Sequence, residues 1–491
     1  MEHVDVLVVG AGLSGVGAAA RLELERPGTS YAVLEARGAI GGTWDLFRYP
    51  GVRSDSDMHT LGYPFRPWLE GRAIADGPSI LAYVQDTARE LGVEQHVRLH
   101  HRVVAADFST DDARWTVRVL RTDTGEQLEL TCSFLFSCTG YYRYDHGHEP
   151  VFLGRDDFAG PVVHPQHWPA DLDLGHRRVV VIGSGATAMT IVPAIAQTAA
   201  HVVMLQRSPT YVTALPSHDA LAELARRHLS PERAYRLIRR KNIATAGLSY
   251  RLSQRWPRQM RSLLMRGVAA QLPEGYDVEK HFGPSYGPWD QRLCVVPDGD
   301  LFTAISAGRA SVVTDRIARF VPEGVLLESG GLVEADVIVT ATGLELLLMG
   351  GCELSVDGVP VDPPSTVAYK GMMLTGLPNF AFAIGYTNAS WTLKCDLVSR
   401  YVCRLLAFMQ DHGYDTVTPV PPADPVRLPL IDLGAGYIQR AVETLPRQGA
   451  QAPWRLFQNY RKDVRLLTRG PLEDAGVRFS RRARTATEAH A

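Results

Sequence analysis

The chain has 491 residues, 45% of them hydrophobic and 21% charged, so there is apolar material for more than one ordinary globular domain. Its formal net charge of −2 gives no global reason to expect nucleic acid or an acidic membrane surface as a partner. Six cysteines (Cys132, Cys138, Cys294, Cys352, Cys395 and Cys403) form no C-x-x-C pair, which favours a reduced, cytosolic setting and excludes the redox pair of a flavin disulfide reductase.

The chain starts in an apolar strand, "VDVLVVG", with no basic region or cleavage site, and no signal peptide is expected. Gly10, Gly12 and Gly15 follow directly, opening an Ala-rich helix with Ser14 in its first turn. In such a turn the first glycine makes the bend and the second lets the backbone approach a pyrophosphate. The third lets helix pack on strand, and the helix N-terminus faces the anion. The unit ends in "YAVLEAR", where Glu35 stands where a carboxylate accepts from an adenosine ribose hydroxyl. Cys132 and Cys138 flank or lie in "SFLFSCTGYY", an apolar strand ending in Thr-Gly, too far apart along it to bridge.

Next comes "FAGPVVHPQHWP", residues 158–169, stiffened by Pro161, Pro165 and Pro169. His164 reads either as a general base or as part of a structural joint. A metal site with His167 is a poor third option, because no carboxylate or thiol set follows at usable spacing. The glycine pattern then repeats in "RVVVIGSGATAMTIVPAI", with Gly183, Ser184, Gly185, Ala186, Thr187 and Ala188. Residues 179–205 have the length of a membrane span, but the Gly-Ser-Gly turn, Pro193 and His201 fit strand–turn–helix–strand better. This unit ends in "LQRSPTY", where Gln206 and Arg207 replace the acid. A carboxylate there would repel a 2′-phosphate, which Arg207 can hold. The first site suits FAD or NAD and the second suits NADP.

Residues 217–266 carry twelve arginines and lysines against Asp219, Glu223 and Glu232, with apolar residues at helical spacing. The first reading is a solvated helical subdomain covering the second dinucleotide domain. A peripheral surface meeting anionic lipid is the less favoured one. "ADVIVTATGLEL" (335–346) is another strand ending in Thr-Gly, and the tail "SRRARTATEAHA" is polar and reads as frayed.

The expected fold is α/β, with two Rossmann-like dinucleotide-binding domains, the NADP one inserted in the FAD one, and a small helical insert. The FAD domain spans 1–145 and 330–491. The NADP domain spans 146–329, with the linker at 158–169 and the insert at about 217–280.

Taken together, "GAGLSG", "GGTWDLFRYPGVRSDSD", "FAGPVVHPQHWP", "GSGATA" and "DVIVTATG" resemble the type I Baeyer–Villiger flavin monooxygenases. The likeness is strongest to their actinobacterial ethionamide-activating subgroup. Phe158, Gly160, His164, Trp168 and Pro169 match the family fingerprint F-x-G-x-x-x-H-x-x-x-W-P, which in that family couples the movement of the two domains. The resemblance implies an NADPH- and O2-dependent enzyme converting ketones to esters or lactones through a C4a-peroxyflavin, and also oxidising sulfides or thioamides. A flavin monooxygenase acting mainly on sulfur or nitrogen is the alternative.

It further implies Arg292 as the fixed cation beside flavin and nicotinamide, and Asp55, rather than Asp57, as its partner. Gly42, Thr43, Trp44, Asp45 and Val103 would line the flavin, with Gly41 and Gly42 permitting close backbone approach. Trp391, Asn388, Met372 and Met373 are candidate substrate-pocket residues, although a buried tryptophan and methionines serve equally well as core.

Overall fold

The computed structural model describes residues 1–421 and 426–482; the rest of the tail lies outside the described residues. Two sheets organise it. In the first, nine-stranded sheet, strand Glu2–Val9 runs parallel to Tyr31–Leu34 on one side and to Gln127–Ser137 on the other. The far half of Gln127–Ser137 also pairs in parallel with Phe380–Phe382, and its near half pairs antiparallel with Arg114–Arg121. The second sheet has five strands, in the order Ala310–Thr314, His201–Gln206, Arg178–Ile182, Val337–Thr340 and Val162–Val163, all parallel.

The sequence explains both sheets. Helices cover a parallel sheet on each face, so its strands must be apolar on both sides. Val6, Leu7 and Val8 are fully buried, as are Val337, Ile338 and Val339.

Two expectations change. Strand Val337–Thr340 falls inside the span 330–491 expected for the first domain, yet it hydrogen-bonds Arg178–Ile182 in the second sheet. The chain therefore returns to the first sheet only after Thr340. The fingerprint itself adds an edge strand, Val162–Val163, beside it.

The basic insert forms helices Ala220–His228, Pro231–Arg255 and Pro257–Ala269. Helix Pro257–Ala269 packs on the second domain as expected, with Val268 in its core, whereas the long helix lies against the first. Arg239, buried, donates to the carbonyls of His59 (2.7 Å) and Gly62 (2.8 Å) at the end of helix Met58–Leu61. Tyr235 donates to the Tyr63 carbonyl. No helix among the described residues is long and apolar enough to cross a membrane.

Helix Leu13–Glu25 packs along Trp391–His412, which is tied to the C-terminal helix Tyr460–Val464 by a fully buried ion pair. Lys394 Nζ lies 3.1 Å from Asp463 Oδ2, which also accepts from the Tyr386 hydroxyl at 2.6 Å. Burial pushes the Lys394 pKa down and the Asp463 pKa up, so each charge depends on the other. Removing one member of such a pair strands the other. Lys394→Met should destabilise the protein by roughly 3–5 kcal/mol, while pairing it with Asp463→Leu should restore most of the loss. Urea midpoints of the two variants measure this, and an unchanged midpoint for the single variant would refute it.

Candidate dinucleotide and oxygenation site

The first glycine turn sits at the end of strand Glu2–Val9. Gly10 has φ +99°, and a Cβ there would come within 2.9 Å of the Cys138 carbonyl oxygen. A Cβ on Gly15 would strike Gly10 O at 1.7 Å, so Gly15 is a packing contact and not a cavity wall. Gly12 caps helix Leu13–Glu25 in extended conformation with no side chain on its N–H groups, leaving them for an anion. Glu35, 5% exposed, accepts from the N–H groups of Ala11 (2.7 Å) and Arg37 (2.9 Å), bracing the turn it faces. Burial raises its pKa.

Gly12, Ser14, Glu35, Gly42, Thr43, Trp44, Val103 and Trp391 all line one cavity of about 600 Å3. Trp391 is held there by its indole N–H, which donates to Ser14 Oγ at 2.8 Å. Asp45 differs from expectation. Its two oxygens take Arg37 and Arg48, both at 2.6 Å, which shapes the loop without lining the cavity. Met372 and Met373 are buried in the first domain's core, and Asn388 donates to the Gln458 carbonyl; none of the three lines the cavity.

The second turn repeats the arrangement. Gly183 has φ +134° and Gly185 caps helix Ala186–Ile195 with no side-chain bond. A Cβ on Gly185 would meet nothing within 4 Å, leaving the approach to the helix N-terminus open. Ala186 and Thr187 reach the same cavity, while Ala188 is buried behind them. Ser184 Oγ instead donates to the Ser208 carbonyl. Gln206 is 2% exposed and its amide nitrogen bonds the His281 carbonyl and Thr314 Oγ1, so it is part of the core and not of the dinucleotide site. Arg207, one residue on, is exposed at the strand end.

Between the turns stands Arg292, from the loop that precedes strand Cys294–Pro297. Its Nη2 lies 3.0 Å from Asp55 Oδ2, and both residues line the cavity. The neighbouring carboxylate raises the Arg292 pKa further, so this cation persists at any working pH. Asp57 serves elsewhere, capping helix Met58–Leu61 through Thr60 N and accepting from Asn242. The Asp55 segment is pinned to the second domain by Arg53, 2.5 Å from Asp300. The Tyr49 hydroxyl adds a bond to Thr187, and burial pushes its pKa up to about 12.

Residues 8–70 match an NAD(P)-binding Rossmann-like domain and residues 73–222 match the flavin-binding monooxygenase-like family. The FAD-containing monooxygenase EthA of Mycobacterium tuberculosis is 55% identical over 98% of both chains. The putative FAD-containing monooxygenase MymA of the same species is 49% identical over 98% of both. The chain belongs to the flavin-binding monooxygenase family. The fold of this monooxygenase matches solved structures as well. An oxidized steroid monooxygenase bound to NADP superposes with a TM-score of 0.75 at 23% identity, covering 98% of this chain and 100% of that one. An ε-caprolactone-bound cyclohexanone monooxygenase gives 0.75 at 20% identity, with the same coverage.

In this monooxygenase the histidine of the linker has both ring nitrogens engaged. His164 Nδ1 accepts from Gln166 N (3.2 Å), so Nε2 carries the proton and donates to the Gly343 carbonyl (3.1 Å). No metal-binding cluster exists among the described residues. Phe158 packs with Val180 and Phe320, and a Cβ on Gly160 would strike Asp336 O at 2.2 Å. Trp168 packs on the second domain's core, and Pro169 follows it as the linker leaves the site. Sequence reading misses Gln166, 2% exposed, whose amide donates to the Arg143 carbonyl. It also misses Tyr144, whose hydroxyl meets Thr43 Oγ1 at 3.1 Å. Gln166 lies inside the fingerprint at a variable position, and Tyr144 follows a Thr-Gly turn among other tyrosines, so only the second carries a signal.

Burial lowers the His164 pKa below its ordinary 6.5. The unfolded chain then takes up the proton first as pH falls. The stability His164 confers is therefore complete above pH 6.5 and is lost progressively below it. The melting-temperature gap between wild type and His164→Gln should be widest at about pH 7–8 and should narrow towards about pH 5. A gap that stays constant over that range would contradict the neutral, bonded imidazole.

Proposed function

We propose that the protein is an FAD-containing, NADPH- and O2-dependent monooxygenase of the Baeyer–Villiger type, working in the cytoplasm. It would convert ketones to esters or lactones and also oxidise sulfides or thioamides. The observation that carries the reading is Arg292, fixed by Asp55 in the cavity where both glycine turns converge. FAD, when bound, supplies oxygen activation after reduction by NADPH.

The chain's own residues then bind, exclude water and stabilise charge. The uncapped helix N-termini after Gly12 and Gly185 hold the two pyrophosphates, and Arg207 holds the 2′-phosphate that separates NADPH from NADH. Tyr141, Leu344, Leu347, Met349 and Trp391 give the cavity an apolar wall that excludes water from the reacting atoms. Arg292 stabilises the negative charge that develops on the carbonyl oxygen of a ketone under attack, and Asp55 keeps the guanidinium from turning away. Sulfide oxidation builds no anionic carbonyl adduct, so it depends less on Arg292. The linker, bonded through His164 to Gly343, supports a joint about which the second domain turns.

Two substitutions test these assignments. Arg292→Ala should leave NADPH-driven flavin reduction in place while ester formation from phenylacetone falls roughly 10²–10³-fold. Ester, sulfoxide and H2O2 are followed together with NADPH consumption, and near-normal ester turnover in the variant would defeat the proposal. Sulfoxide with no ester in the wild type would leave only the sulfur-oxidising reading. Arg207→Ala should raise the KM for NADPH at least about tenfold, with little change for NADH. Equal effects on both would remove Arg207 from the phosphate site.

A further inference from the structure

Sixteen large apolar side chains are strongly exposed among the described residues, and eight of them lie between Leu215 and Leu263. They share that stretch with eleven basic residues and three acidic ones, in a chain of net charge −2. The long helix Pro231–Arg255 orders them. Arg233, Leu237, Arg240, Ala244, Leu248, Arg251 and Arg255 recur every three or four residues, so they share one face, and all are exposed. Trp256, 50% exposed, follows directly at the C-terminal end of the helix. None of these arginines forms an ion pair among the described residues, although Lys241 and Arg261 elsewhere in the insert are paired.

We infer that this face of the insert is a docking surface for an anionic phospholipid bilayer. A helix that lies in a membrane interface combines leucine and tryptophan, which enter the acyl boundary, with arginines that meet the headgroups. This helix has that composition on the side turned away from the protein, while its inner side is committed to the first domain through Tyr235 and Arg239. A symmetric contact with a second copy would set arginine against arginine, which disfavours a two-fold dimer here. Asn242, on the same helix, donates to Asp57 at 2.8 Å, two residues from the Asp55 that holds Arg292.

The test uses the cofactor-loaded full chain and vesicles of phosphatidylcholine with or without about one third phosphatidylglycerol. Co-sedimentation should require the anionic lipid at about 0.05 M salt and be largely lost at about 0.5 M. Arg240→Ala with Arg251→Ala should weaken binding about twentyfold. Leu248→Asp with Trp256→Ala should abolish it at low salt too. Turnover without vesicles should equal wild type in both double variants. Binding that ignores phosphatidylglycerol, or that survives both double variants, would overturn the proposal. So would a vesicle-free dimer cross-linked through position 248, or a loss of turnover in solution, since either would give the face another role.

Discussion

A backbone carbonyl has two lone pairs to satisfy, and at Gly343, which is half-buried, both are taken from distant parts of the chain. His148 N donates one bond at 3.0 Å and His164 Nε2 donates the other at 3.1 Å. Thr342 Oγ1 returns a bond to the His148 carbonyl. These contacts bind the outgoing crossing between the sheets to the returning one, so the chain changes domain twice within a single hydrogen-bonded cluster. Arg53–Asp300 adds a second tie between the domains, close to Asp55 and Arg292.

The cavity owes its character to groups that are spoken for elsewhere. Asp45, Asp57 and Glu35 each spend their oxygens on protein donors, which leaves Asp55 as the carboxylate beside Arg292. An arginine with one acid partner and a partly open guanidinium can hold a developing anion and still keep its place. The helical insert contributes at a distance, since Arg239 gathers the free carbonyls at the end of helix Met58–Leu61 and Asn242 steadies its cap.

Much of this is legible in the sequence because the signals are local. Strands buried on both faces are apolar throughout, and a glycine that needs positive φ or a close approach has no substitute, so both turns announce themselves. The differences arise where a partner distant in sequence decides. Val337–Thr340 is as apolar as any central strand, and nothing within it says which sheet it joins. Gln206 and Arg207 read as one site along the chain, but the strand ends at Gln206, whose side chain is enclosed by His281 and Thr314, while Arg207 lies past the strand and is exposed. Met372 and Met373 carry no mark that separates a pocket wall from packing. The choice of Asp55 over Asp57 rests on spacing from Tyr49-Pro50-Gly51, and the geometry around Thr60 and Asn242 gives its physical reason.

The cysteines acquire a meaning beyond their lack of partners. An oxygen-reducing flavoprotein that loses coupling releases peroxide at its own centre, and peroxide attacks thiolates far faster than thiols. Burial raises the pKa of all six cysteines, including Cys138 on the cavity wall and Cys395 beneath Ser14. Burial thus disfavours the thiolate at each of them. The same apolar packing that builds the two domains thereby holds these thiols away from the form that peroxide attacks.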